Sequence, residues 1–355
     1  MNKKVGIILI NFKDYSERFL APCRDSLRCQ DYPAELINIY IIDNASTPET
    51  IKYLHDNYPE AKILPRLDGN YSAAGNLGFE EAKSDECDYF VSVNMDTEMN
   101  PTWLRELVLA LENNPEVGIA QSKILLFPKN EEEKKNPKIN SLGNVIHFLG
   151  FGFTSAHGEA DREIKGYPEI KGYASGCSLI IRAEIIDKIG GYNEEYYMYH
   201  DDMEISLKVK LAGYKIILAP RSIIYHKYDF KRSTKMIYYM ERNRYLTLMT
   251  FYPFYLLALI TIPWIIMDLG MIFYSLCSGW FKEEMKIYGY FCHFKNYDKI
   301  EVEREKIRSF SVVPFSSLAK YFAGKIEFQE IANPILKYIV NPVFNLYWWL
   351  VKKLI

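Results

Sequence analysis

Five residues of this chain carry the types and spacing that chemistry needs. Asp43 and Asp96 each follow an apolar run, in Ile41-Ile42-Asp43-Asn44-Ala45-Ser46 and Val93-Asn94-Met95-Asp96-Thr97. Much later come an acidic pair, His200-Asp201-Asp202-Met203-Glu204, and a lone histidine, Tyr225-His226. A carboxylate leaving a buried strand is costly without a partner. A divalent cation held through one or two carboxylates and the oxygens of a diphosphate is a natural one. An acidic pair at a cleft can supply a general base while the helix behind it holds the second acid.

Each feature also has a plainer reading. Asp43-Asn44-Ala45-Ser46 suits a turn and helix cap, with Asn44 and Ser46 capping. Asp96 can cap the turn before Pro101. Asp201 and Asp202 suit a helix N-terminus, where the dipole favours acids. Glu204 and Lys208 read as an exposed i,i+4 pair. The stretch Gly69-Asn70 through Gly75-Asn76-Leu77-Gly78 lacks both the dinucleotide fingerprint and the GK[ST] of a P-loop. Its glycines and asparagines can let backbone approach a phosphate, or pack a helix start. His226 alone reads as structural, and only the company of Asp96 gives it a chemical role.

The elements that must position these groups alternate. Strands are expected at Val5–Asn11, Ile37–Asp43, Ala61–Leu64, Tyr89–Asn94 and Gly118–Phe127. Helices are expected at Ser16–Cys29, Pro48–Asn57, Ser72–Lys83 and from Pro101 to Asn113. That rhythm predicts an α/β fold, a mostly parallel sheet with helices on both faces. Ligands of such sheets sit outside the carboxyl ends of the strands, where Asp43 and Asp96 fall. Residues 128–171 break the rhythm and predict a long irregular insertion over one end of the sheet. A strand at Gly176–Arg182 and helices at Ala183–Ile189 and Asp201–Ala212 follow. Short strands at Lys215–Leu218 and Ser222–Tyr225 then lead to His226.

The texture changes after residue 230. Residues 1–230 carry 26 basic and 35 acidic residues, a net −9, whereas residues 231–355 carry 17 and 10, a net +7. No charge occurs from Tyr245 to Met267, and only Asp268 interrupts the run to Trp280. A second apolar, aromatic stretch covers 333–351. A basic, aromatic, apolar tail predicts contact with an anionic membrane surface through interfacial, re-entrant or spanning helices. The alternative is a helical hairpin buried in a soluble body. The domains expected are thus 1–230 and a helical region 231–355, with apolar segments 245–280 and 333–351. No dense Lys/Arg run or reading motif suggests nucleic acid. The six cysteines show no CxxC pair and no metal-ligand spacing, which predicts reduced thiols. The apolar run Val5–Ile10 is too short for a signal peptide.

Taken in order, Asp43-Asn44-Ala45-Ser46, Asn70 through Gly78, Asn94-Met95-Asp96, Gly176-Cys177-Ser178, Gly190-Gly191-Tyr192-Asn193-Glu194, Asp201-Asp202, Gly213-Tyr214, His226 and Arg242-Asn243 resemble glycosyltransferase family 2. These are inverting enzymes on the Rossmann-like GT-A fold, and the chain looks most like the rhamnosyltransferase-like members. The resemblance spans about residues 4–250 and implies a transfer from a nucleoside-diphosphate sugar to a glycan or lipid-linked acceptor. It implies Mg²⁺ or Mn²⁺ at Asp96 and His226, and catalysis by Asp202 with Asp201 beside it. It implies donor contacts from Asn11, Asp43, Asn70, Gly75, Asn76, Asn94 and Gly176, with Asp43 at the base. The chain departs from the pattern at Asn94, where the metal motif has its first acid, and at Asp201, where Glu is usual. Glu204-Ile205 stands where Asp-Leu is usual. A catalytically silent sugar-binding or scaffold subunit would keep the same shell. A nucleotidyltransferase would need a glycine- and Arg/Lys-rich N-terminal loop that is not seen.

Overall fold

The computed structural model describes residues 3–227, 234–327 and 334–355. The expected boundary at 230 and Asn333, the start of the second apolar segment, lie outside the described residues.

Eleven strands and thirteen α-helices make up the described chain. The first half alternates: β1 (Val5–Asn11), α1 (Tyr15–Arg28), β2 (Ile37–Asn44), α2 (Pro48–Asn57), β3 (Lys62–Arg66), α3 (Tyr71–Ser84), β4 (Tyr89–Val93), β5 (Thr97–Met99), α4 (Trp103–Glu112) and β6 (Val117–Leu126). The insertion holds α5 (Glu131–Lys135), β7 (Ile139–Ser141), β8 (Asn144–Ile146) and β9 (Gly152–Thr154). Then come β10 (Ser178–Arg182), α6 (Ala183–Ile189), α7 (Asp201–Leu211) and β11 (Lys215–His226). Six helices close the chain: α8 (Thr234–Phe251), α9 (Phe254–Ser278), α10 (Phe281–Phe291), α11 (Phe294–Phe310), α12 (Phe315–Ala319) and α13 (Asn341–Val351).

The main sheet runs β3-β2-β1-β4-β10-β6-β11-β5, with β7 on β6. The pairs β2–β3, β1–β2, β1–β4 and β6–β11 are parallel. β10 runs antiparallel to both β4 and β6 and joins the two parallel blocks. The central strands β1 and β4 are apolar and buried along nearly their whole length, as a sheet covered on both faces requires. One face packs Leu20 and Leu27 of α1, Leu54 of α2 and Trp103 and Leu107 of α4. The other packs Phe79 of α3, Ile185 of α6 and Met203 and Leu207 of α7. That second core continues into the C-terminal helices through Leu248, Tyr252, Ile307, Phe315 and Trp348.

Three local differences from the sequence reading have physical causes. The two short strands expected before His226 are one strand, β11, whose register slips between Ala219 and Ile223. Pro220 sits in that slip, where its missing N–H does no harm. The irregular insertion is partly ordered, with β7 added to the sheet and β8–β9 paired as a hairpin. The apolar run 245–280 is split at Tyr252-Pro253, because proline cannot continue α8 and instead starts α9.

Candidate active site

β4 ends at Val93, and Asn94-Met95-Asp96 turns the chain into β5, which pairs antiparallel with the end of β11. Thr97 stands opposite His226 in that pairing, so the turn brings Asp96 beside the histidine. His226 Nε2 lies 3.3 Å from Asp96 Oδ2. Its Nδ1 lies 2.9 Å from Asn140 Oδ1, on β7. An amide oxygen accepts, so Nδ1 carries a proton and Nε2 is the atom turned to the carboxylate. Burial works against charge on the ring, but Cys177 and Asp96 beside it overrule burial and push His226 up to about 10. Tyr15 is pushed above its usual range, first by burial and then by the charge of Asp96.

Asp96 Oδ1 is buried with no hydrogen-bond partner. A buried carboxylate oxygen left open is an exception that demands a reason. A hard divalent cation fits it: Asp96 and His226 would be its two protein ligands, the cation taking the place of the proton on Nε2. Among the described residues no group of three His, Cys, Asp or Glu stands ready to hold a metal. The remaining ligands would come from diphosphate and water, as is usual for Mg²⁺.

At the neighbouring strand ends, Asn11 and Asp43 face each other across β1 and β2. Asn11 Nδ2 donates to Asp43 Oδ1 (2.7 Å), and Thr50 Oγ1 donates to Asp43 Oδ2 (2.5 Å). Ser16 N–H donates to Asn11 Oδ1 (2.8 Å), which fixes the start of α1. Asp43 is fully buried, and a donor base could reach only the lone pairs these bonds leave over. The cap of α2 is Thr47, in a capping box with Thr50, not Asn44 or Ser46. Asn44 Oδ1 and Ser46 Oγ are instead buried and unspent beside Asp43.

Asn70, Gly75 and Asn76, expected at the donor, are built into the packing of α3 on the loop after α6. Asn70 caps α3 through Ala73 N–H (3.1 Å) and donates to the Glu194 carbonyl (3.0 Å). Asn76 accepts from Tyr192 N–H (2.8 Å) and donates to the Tyr192 carbonyl and Glu194 Oε1, each at 3.0 Å. A Cβ on Gly75 would meet Tyr192 Cε2 at 2.7 Å. This glycine permits a close approach of helix and ring. Gly75 and Asn76 thus join α3 to the loop after α6.

The acidic pair opens α7. Asp202 Oδ2 accepts from Gly176 N–H (3.3 Å) and Oδ1 from Met203 N–H (2.9 Å). Asp201 is buried, while Asp202 keeps partial exposure. Burial raises both carboxyls above the usual range, and the neighbouring Asp202 charge raises Asp201 further. Behind them, Glu204 and Lys208 are not the exposed pair the spacing suggested. Lys208 is fully buried and its Nζ lies 2.5 Å from Glu204 and 2.6 Å from Glu303 of α11. Helix α11 covers this face of α7, and nothing in the i,i+4 spacing announces that cover.

Two successive residues join the halves of the site. Gly176 N–H bonds Asp202, and the Cys177 carbonyl accepts from Asn94 N–H (3.0 Å). The Asn94 side-chain oxygen lies 3.5 Å from Tyr71 Oη. Sequence reasoning missed Asn140 and the contact of Cys177 with His226, because both depend on long-range pairing. It also missed the backbone before Asp201: Tyr197, Tyr199 and His200 all take left-handed φ angles of 63–66°. Each such non-glycine residue costs on the order of 1–3 kcal/mol.

Comparison with known proteins identifies the family and the fold. The family described as Glycosyl transferase family 2 matches residues 7–190. The O-antigen biosynthesis protein RfbC of Myxococcus xanthus is 27% identical over 242 residues, 65% of this chain and 18% of that protein. The N-acetylglucosaminyl-diphospho-decaprenol L-rhamnosyltransferase of Mycobacterium tuberculosis is 22% identical over 208 residues, 54% of this chain and 67% of that protein. The chain thus spans less than a fifth of the first of these relatives. Residues 1–349 of S. aureus TarS with UDP superpose with a TM-score of 0.50 at 13% identity, covering 99% of this chain and 90% of that one. GalNAc-T7 with UDP, GalNAc and Mn²⁺ superposes with a TM-score of 0.52 at 15% identity, covering 67% and 48%. At such identities the likeness speaks to the fold alone, and that fold is GT-A. With a family match over more than half of its length, the chain belongs to glycosyl transferase family 2 and is a glycosyltransferase.

Proposed function

We propose that the chain moves a sugar from a UDP- or dTDP-sugar to a hydroxyl of a glycan or lipid-linked glycan, with inversion, in the building of a cell-surface polysaccharide. The observation that carries the reading is the Gly176-Cys177 joint, which ties the Asp96–His226 pair to the acidic pair at α7. Leaving group and attacking hydroxyl need stabilisation at two neighbouring places, and the joint holds two such places together. The names of the relatives support the setting: one is an O-antigen biosynthesis protein, another acts on a diphospho-decaprenol.

In this reading Asp202 accepts the acceptor hydroxyl's proton as that oxygen attacks the anomeric carbon. The bond from that carbon to the diphosphate breaks on the opposite face, through an oxocarbenium-like transition state. One displacement inverts the configuration. Burial gives Asp202 more affinity for a proton than an aspartate in water, which suits a base. Its residual exposure leaves it the acid that can face an acceptor, and Asp201 behind it is the more readily protonated. Asp96 and His226 would hold Mg²⁺ or Mn²⁺, which, when bound, neutralises charge on the departing diphosphate.

The reading extends to the cytosolic face of a membrane. α9 is long and apolar enough to cross a bilayer, and only 17% of its most apolar window is buried. Phe254, Ile262, Ile266, Leu269 and Phe273 are exposed on it, as are Val343, Leu346, Trp349 and Leu350 on α13. Tyr347 of α13 donates to the Leu259 carbonyl, so the two helices adjoin. Asp268, the one charge of α9, lies 3.3 Å from Arg244 of α8. That ion pair ties the helix to the protein body, which supports an interfacial or re-entrant placement over a full span. Lys352 and Lys353 at its edge suit anionic headgroups.

The test is a screen of UDP- and dTDP-sugars for nucleoside-diphosphate release with Mn²⁺, with and without chelator, on the parent and on Asp96→Ala. Release that needs both the metal and Asp96 supports the assignment. Full activity of the parent in chelator, with no metal bound, refutes the metal role.

A further inference from the structure

The loop between Glu195 and α7 is held by two neighbouring side chains of α8. Its residues Tyr197, Tyr199 and His200 hold left-handed backbone with no glycine among them. Backbone of that kind persists only where its surroundings over-determine it. Asn243 Nδ2 lies 2.8 Å from the carbonyl oxygens of Tyr196, Met198 and Tyr199, which share its two N–H groups. Arg242 Nη2 donates to the carbonyls of Glu195 (2.5 Å) and Tyr196 (2.9 Å). The Tyr197 carbonyl accepts from Tyr71 N–H (2.7 Å) and Ser72 N–H (3.3 Å) at the start of α3, and the His200 carbonyl from Glu204 N–H (2.8 Å) in α7. Every carbonyl from Glu195 to His200 is therefore engaged, and three of the six by one amide.

That amide cannot turn over. Asn243 Oδ1 accepts from Arg242 Nε (3.0 Å) and Nη2 (2.7 Å), so its NH₂ must face the loop. A flipped amide would set its oxygen against three carbonyl oxygens. Asn243 is fully buried and Arg242 nearly so. The next residues of the loop are Asp201 and Asp202.

We propose that Asn243, oriented by Arg242, is a positioning residue for catalysis: it holds the strained loop that sets Asp202 against the acceptor. The proposal rests on the reading of Asp202 as the base. Asn243 touches neither Asp202 nor any group assigned to the donor, so its loss reaches the reaction through the loop.

The test uses the full chain, with the UDP- or dTDP-sugar that the donor screen returns and water as acceptor. Asn243→Ala is compared with Asp202→Asn and the double variant. Amide hydrogen exchange is followed over residues 195–203, and binding of the matching nucleoside diphosphate with Mn²⁺ is titrated. Asn243→Ala is expected to speed exchange over 195–203 by more than about tenfold, since it removes the groups that protect the loop. It should lower kcat on the order of 10²-fold, the cost of misplacing a reacting group by about 1 Å. KM for the donor and diphosphate affinity should stay within about threefold, because the donor contacts are elsewhere. The double variant should be no slower than Asp202→Asn, because both changes act through one group. Unchanged exchange, an unchanged kcat, or losses that multiply would each overturn the proposal. Full turnover by Asp202→Asn would instead refute the base assignment, and exchange alone would then judge the clamp. If Asn243→Ala does not fold, Arg242→Lys leaves the amide in place but frees it to turn, and the same pattern is expected with smaller losses.

Discussion

Asp201 and Asp202 are neighbours in sequence with different surroundings, and that difference sets how each holds a proton. Asp201 is buried, and burial and the adjacent charge raise its carboxyl above the ordinary value. The folded chain therefore keeps that proton to higher pH than the unfolded chain does. A raised folded value means stability that is complete below about pH 3.9 and is lost as pH rises through the folded value. Asn at this position carries no charge at any pH and escapes the loss. Asp201→Asn is expected to be more stable than the parent at pH 8, by more than about 1.4 kcal/mol, the worth of one pH unit. The gap should close near pH 4. Thermal unfolding at both pH values measures it, and a gap of equal size at both would contradict the burial argument. At this scale the sequence was legible where a residue's neighbours along the chain make its environment. Asp96, Asp202 and His226 stand out in the sequence because they end apolar runs or open a helix. Asn140, Asn243 and the buried state of Glu204 and Lys208 do not, because their partners lie far away in sequence.

The helix α7 illustrates what an element does that its own sequence does not say. Its polar residues Glu204 and Lys208 look like a solvated face, but α11 lies over them and supplies Glu303. Lys208 has two carboxylates and the Gly191 carbonyl (3.2 Å) around it, and no solvent. Removing its charge leaves two acids facing each other in a dry place. Lys208→Met is expected to cost about 3–5 kcal/mol, as for a broken buried ion pair. Replacing Lys208 with Met and both Glu204 and Glu303 with Leu should recover most of that, because no charge is then left unpaired. Chemical denaturation of the two variants separates the cases, and a triple variant no better than the single one would count against the argument. Strands, by contrast, were read well from sequence, because β1 and β4 are almost wholly apolar and β6 begins and ends in apolar runs. The long β11 was read as two pieces because Pro220 looks like a stop, while the parallel pairing with β6 carries the chain past it.

At the scale of the whole molecule, the C-terminal helices are two things at once. Their inner sides complete the core under α7, and their outer sides expose aromatic and aliphatic groups. Each Lys or Arg near an anionic surface adds about 1 kcal/mol, so binding to vesicles with phosphatidylserine should weaken with salt without vanishing. Sedimentation with such vesicles at low and high salt checks this, with Leu269→Glu expected to bind more weakly than the parent at either salt concentration. A parent that stays wholly in the supernatant would favour burial of this face by another route. A truncation near Arg244, by contrast, would strip Leu248, Tyr252, Ile307 and Trp348 from the core and so confuse folding with membrane contact. The last consequence concerns time. β4 and β6 do not pair with each other, and β10, made some eighty residues after β4, is the strand that links them. While the insertion is being synthesised, both strands present unpaired N–H and C=O groups to any passing chain. A ribosome-bound chain stopped at about residue 170 should therefore be prone to association, and extension past Arg182 should relieve it. Light scattering of the two released fragments would measure the difference, and equal solubility would mean that the open edges are shielded in another way.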